Sequence, residues 1–159
     1  MRPSQIFGAM SQEKCEQLMG MIAGESPETI RQTVATVAMA LKFRPQYLQK
    51  QPIAKRVSAV KRVLSRASSD ALAEELLAIY FLKCRLPLLT EWLDLMDLAH
   101  EDGMLTGDET PCPDAADLAA KVAKFRAVED DDDRELLMRV FSAQTAIDWP
   151  ALDEILEAS

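Results

Sequence analysis

Histidine occurs once in this 159-residue chain, glycine five times, and the three cysteines, Cys15, Cys84 and Cys112, form no C-x-x-C pair. A lone histidine and scattered cysteines lack the closely spaced ligand pairs of a zinc site, and no nucleophile sits beside a base in any catalytic motif. No enzymatic activity, cofactor or metal is expected. An odd, widely spaced set of cysteines also argues against a disulfide framework and suits a reducing compartment. No segment reaches the roughly 18 uncharged residues of a membrane span, and Met1 to Met10 lacks the apolar core of a signal peptide. The expected location is the cytoplasm, with no membrane partner.

The most informative absence is of negative charge. From Thr29 to Ser69 there is no Asp or Glu, yet this segment holds nine Lys and Arg; the rest of the chain carries nine cations against twenty-six carboxylates. A chain of net charge −8 is therefore a basic segment set in a strongly acidic remainder. Such polarity points to association rather than chemistry.

What is abundant is Ala, Leu, Met, Glu, Lys and Arg, which lose little side-chain freedom in a helical turn. The chain reads as all-α, a single domain over 1–159 with about eight helices, either an irregular bundle or solenoid-like stacked hairpins. Punctuation divides it. The first helix is predicted from Ser11 to Ile22, with Gly24 as its stop. Ser26 as N-cap and Pro27 in the first turn open the second, with Ile30, Val34, Val37, Ala38 and Leu41 on one face and an end near Phe43 ahead of Pro45. After a connector, 46–51, a third helix runs from about Pro52 to Arg66. It buries Ile53, Val57, Val60, Leu64 and Ala67, with Lys55, Arg62 and Arg66 opposite.

Ser68 to Asp70 cap a long central helix reaching about Arg85, and Pro87 opens a fifth, 88–99. Leu76, Leu77, Tyr80, Phe81, Leu89, Trp92 and Leu93 are predicted to share the main core across that turn. A loop over 100–113 precedes a sixth helix from Asp114 to about Val128, a seventh from Arg134 to Gln144, and a last one opened by Trp149-Pro150. Paired, the helices make hairpins at 26–66, 70–99 and 114–144.

Four constellations bear on function. Arg44, Lys50, Lys55, Arg56, Lys61, Arg62 and Arg66 form a stripe fit for an acidic protein surface, or for phosphates with Tyr47 stacking a base, unless it pairs with the chain's own acids. The loop Leu98–Glu109 matches part of a calcium loop, with Gly103 sixth and Glu109 twelfth. Leu98 and His100 stand where the first and third oxygen ligands belong, so an αL glycine stop and a surface turn are expected instead. His100 and Cys112, with Asp102 and Asp108, are the only soft-ligand pair, and a helix-terminal histidine accounts for His100. The run Glu129 to Asp133 is expected to stabilise the N-terminus of the seventh helix. The function expected is non-enzymatic: an adaptor binding another protein through the basic helix 53–66 or an inter-helix groove, or alternatively a nucleic-acid-associated accessory protein using the same stripe.

Overall fold

A computed structural model describes residues 1–158 of the chain. The protein is all-α: among the described residues there are ten α-helices, short 3-10 and π-helical turns, and one two-stranded hairpin. They belong to two compact units, Arg2–Cys84 and the residues from Arg85 onward.

The first unit contains α1 Pro3–Ala9, α2 Gln12–Glu25, α3 Pro27–Ala40, α4 Pro45–Gln49, α5 Ile53–Leu64 and α6 Asp70–Ile79. A 3-10 turn, Ala67–Ser69, leads into α6, and a π-helical turn, Tyr80–Cys84, follows it. α1 lies where no helix is predicted. Seven residues are too few to show a period, and its start rests on Pro3 and on the Gln5 side chain, which accepts the Arg2 N–H at 2.7 Å. In α2, Ser11 Oγ accepts the Lys14 N–H at 3.0 Å, an ordinary N-cap. Gly24 does not end this helix. The stop comes at Ser26 (φ −147°, ψ 79°), because the following Pro27 bars it from helical geometry. Ser26 also caps α3 differently from expectation: its hydroxyl meets that of Thr29 at 2.7 Å rather than a backbone N–H. α3 closes with Lys42 in the left-handed region (φ 61°) and the Phe43 N–H reaching back to the Ala38 carbonyl at 2.8 Å.

Within this unit α2, α3 and α5 pack against one another, α1 packs on α5 and α6, and α4 packs on α3. Phe7, Leu18, Ile22, Val37, Val60, Leu64, Leu76, Tyr80 and Phe81 are buried, and the Tyr80 hydroxyl donates to Met21 Sδ at 3.7 Å. Two positions on α5 depart from expectation. Ile53 is 61% exposed and Ala67 lies beyond the helix end on the surface, while Val63 joins Val57, Val60 and Leu64 in the core.

The second unit contains α7 Leu86–Leu95, β1 His100–Glu101, β2 Met104–Leu105, α8 Ala115–Arg126, α9 Asp133–Ala143 and α10 Pro150–Glu157. α8 packs on α9, and α10 packs on both. The core is aromatic: Trp92 meets Phe125 (5.0 Å between centroids) and Phe141 (5.6 Å), and Phe141 meets Trp149 (4.9 Å), all edge to face. Trp149 also fixes the start of α10, its indole N–H donating to the Thr110 carbonyl at 2.8 Å.

All seven residues assigned to one core across the 70–99 turn are buried, but they divide. Leu76, Leu77, Tyr80 and Phe81 belong to the first unit, and Leu89, Trp92 and Leu93 to the second. The continuous central helix predicted from Asp70 to about Arg85 ends as an α-helix at Ile79, passes into the π-helical turn, and breaks at Arg85 (φ −133°, ψ 40°) before Leu86-Pro87 restarts the helix.

Candidate interaction surface

The basic segment occupies α3, α4, α5 and their connections, all in the first unit. A helix that buries Val57, Val60, Val63 and Leu64 on one side must turn the opposite side outward, and on α5 that side holds Lys55 and Arg62, two turns apart. Arg66, just past the helix end, is exposed as well. Arg44 and Lys50 flank α4 and are also exposed. Arg56 and Lys61 are half-buried: Arg56 Nη1 donates to the Gln49 carbonyl at 3.2 Å and Lys61 Nζ to the Gly8 carbonyl at 3.4 Å. Among the described residues none of these seven cations lies within ion-pairing distance of a carboxylate.

The acidic run that might have neutralised them is used elsewhere. Asp133, 1% exposed, pairs with Arg85 Nη1 at 2.5 Å, and Asp131 meets Arg85 Nη2 at 3.3 Å and Arg134 Nε at 3.4 Å. These ion pairs add to the expected role of the run at the helix N-terminus. Asp133 and Glu135 sit in the first turn of α9, where negative charge is favourable, although no side chain caps that helix by a hydrogen bond; Asp131 and Asp133 also supply carboxylates to Arg85 and Arg134. Arg134 also reaches Glu91 at 2.8 Å and stacks over the Phe125 ring at 4.7 Å, so it locks α7, α8 and α9 together.

The loop 100–113 carries a different surprise. Asp102 (φ 49°) and Gly103 (φ 86°) are the two turn residues of a tight β-hairpin in which His100 pairs with Leu105 and Glu101 with Met104. Positive φ at both central positions is what a type I′ turn needs, and Asp-Gly supplies it at low steric cost. The expected αL glycine stop is displaced to Asp97 (φ 58°), which ends α7 with the Leu98 N–H bonded to the Leu93 carbonyl. His100 Nε2 meets Asp94 Oδ1 at 2.7 Å while Nδ1 accepts the Gly103 N–H at 3.3 Å, so the ring holds the hairpin to the end of α7. Among the described residues no group of three or more His, Cys, Asp and Glu side chains is placed to hold a metal ion. Burial pushes the Cys15 thiol up to about 11, and Cys84 and Cys112 are also raised by desolvation, so none of the three is an activated thiolate.

One feature escaped the sequence. α2, α3 and α5 do not close completely, and between them lies a groove of about 290 Å³ with Met19, Ile30, Val34 and Val57 as its apolar lining and Ile53 and Arg56 at its α5 side. On the opposite rim stands Glu16; Arg31, on the α3 side, is held by Glu28 at 2.8 Å. The signal available in sequence was Ile53 standing next to Lys55 and Arg56, but periodicity alone assigned Ile53 to the core. A second exposed apolar site is the Phe43–Tyr47 ring pair, 5.3 Å between centroids, flanking Arg44.

The chain matches no family model, no curated protein and no solved structure among those compared.

Proposed function

We propose that this is a non-enzymatic, cytoplasmic interaction protein whose first unit binds an acidic surface of another protein through α5 and the groove beside it. The supporting observation is the pairing of unneutralised cations with a groove whose α5 edge carries an exposed aliphatic side chain, Ile53. Arg44, Lys50, Lys55, Arg56, Lys61, Arg62 and Arg66 carry no ion pair among the described residues; Arg56 lines the groove together with Ile53 and Val57, and Lys55, Lys61 and Arg62 belong to the same helix. Cations steer encounter and select a partner of opposite charge, while apolar burial supplies most of the affinity. An aliphatic-lined groove suits a protein side chain better than a sugar-phosphate backbone. The exposed Phe43–Tyr47 pair beside Arg44 favours a second reading, in which single-stranded nucleic acid stacks its bases there.

The test is charge reversal at Lys55, Arg62 and Arg66, all to Glu. These side chains point away from the core, so helicity by circular dichroism stays near that of the parent chain. Retention of partner proteins in a pull-down falls, and the deficit is largest at low salt, where screening is weakest. Unfolding of the variant would mean that the stripe is structural. Unchanged retention would move the binding surface elsewhere, and loss of a labelled oligonucleotide instead of a protein would favour the second reading.

A further inference from the structure

The groove between α2, α3 and α5 contains a residue that the fold does not require. Gly20 lies inside α2, lines the groove, and a Cβ built on it meets no atom within 4 Å. A mid-helix glycine destabilises a helix relative to alanine. Here neither a left-handed backbone nor a close neighbour calls for one. Ala23, one turn further along α2, lines the same groove. With Gly20 and Ala23 on one wall, the helix backbone itself is open to approach, and any larger side chain at position 20 would stand in the space.

The charges around this space are not symmetric. Arg56 is free of carboxylates on the α5 side, Arg31 is satisfied by Glu28, and Glu16 stands on the α2 side. A ligand is therefore welcome with a carboxylate over α5 and disfavoured with one over α2.

Resting on the reading of this unit as a protein-binding surface, we propose that the groove receives a single amphipathic α-helix of another protein. Aliphatic residues at i, i+4 and i+7 pack against Ile30 and Ile53 over the largely covered Met19, Val34 and Val57, the helix backbone approaches Gly20 and Ala23, and its acidic flank faces Arg56. This is the helix-in-groove mode, in which apolar anchors supply affinity and flanking charge sets orientation.

The probe is a fluorescein-labelled synthetic peptide of about sixteen residues, long enough to hold some helix, with leucines at the anchor positions, glutamates on one flank and glutamines on the other. A control peptide replaces the glutamates by lysines. Fluorescence anisotropy with the full chain shows saturable binding of the acidic peptide and at least tenfold weaker binding of the lysine peptide. Gly20→Leu fills the groove; its thermal midpoint is equal to or above the parent's, and the acidic peptide binds at least tenfold more weakly. Arg56→Glu, on the half-exposed rim, reverses the preference between the two peptides and reads the same groove should Gly20→Leu fail to fold. Binding unaffected by both Gly20→Leu and Arg56→Glu overturns the groove proposal, as does absence of binding by either peptide. The wider reading is judged separately: if the Lys55, Arg62 and Arg66 reversal still weakens partner retention while the groove variants do nothing, the basic face binds and the groove does not.

Discussion

Removing the Asp133 carboxylate tests whether the buried ion pairs of the second unit hold it together. Asp133 is fully enclosed and faces Arg85, whose side chain remains 31% exposed and keeps Asp131 at 3.3 Å as a second partner. Breaking a buried pair by deleting one partner costs about 3–5 kcal/mol, because the other charge stays desolvated and uncompensated. Partial exposure and the remaining Asp131 contact relieve part of that, so Asp133→Leu is expected to destabilise by about 2–3 kcal/mol, just below that range. For a unit of this size that lowers the melting temperature by roughly ten degrees or more. Both tryptophans, Trp92 and Trp149, lie in the second unit, so indole fluorescence during urea unfolding reports on that unit while far-ultraviolet circular dichroism reports on the whole chain. The fluorescence midpoint should shift with little change in slope. The double variant Arg85→Met with Asp133→Leu, which removes both charges, should recover most of the loss. A single-variant loss below about 1 kcal/mol, or a double variant no better than the sum of the singles, would refute the argument that desolvated charge dominates at this site.

Two further outcomes follow from titratable groups. The Asp70 carboxylate accepts hydrogen bonds from Ser4, its backbone N–H at 3.0 Å, and pairs with Arg2, and these contacts hold it below the usual carboxylate value. A depressed folded-state value means that the contribution is complete above the unfolded value of about 3.9 and fades as pH falls through the folded one. Thermal midpoints measured from neutral pH down into this acid range should therefore drop more steeply for the parent chain than for Asp70→Asn, and parallel curves would show that the α1–α6 contact contributes no pH dependence. At mildly alkaline pH a thiol reagent should label exposed Cys112 quickly, half-buried Cys84 more slowly, and buried Cys15, raised to about 11, only as fast as the first unit opens. Cys15 reacting in step with Cys112 would contradict the burial of α2.

Much of the helical architecture was legible locally because its determinants are local. Pro27, Pro45 and Pro150 open helices by sterics that act between neighbours, Ser11 caps by reaching three residues along, and the spacing of Val57, Val60 and Leu64 marks a buried face without reference to what covers it. The outward side of α5 followed from the same spacing. What escaped depends on partners distant in sequence or on competition between nearby signals. Asp102-Gly103 suits both a helix stop and a hairpin turn, and the choice falls to the hairpin because Asp97 takes the left-handed conformation and ends the helix first.

The charge segregation, the all-α class and the exposure of Lys55 and Arg62 belonged to the sequence alone, since composition and helical period suffice for them. Only tertiary structure decided where the counter-charges went: Asp131 and Asp133 meet Arg85 across some 46 to 48 residues of chain, and no local pattern encodes such a pairing. It likewise decided that α2, α3 and α5 stop short of closing, leaving Ile53 at the edge of a groove instead of inside a core. Periodicity states which face of a helix is apolar; whether a neighbour arrives to cover the first turn of that face is settled by the packing angles and lengths of three helices at once.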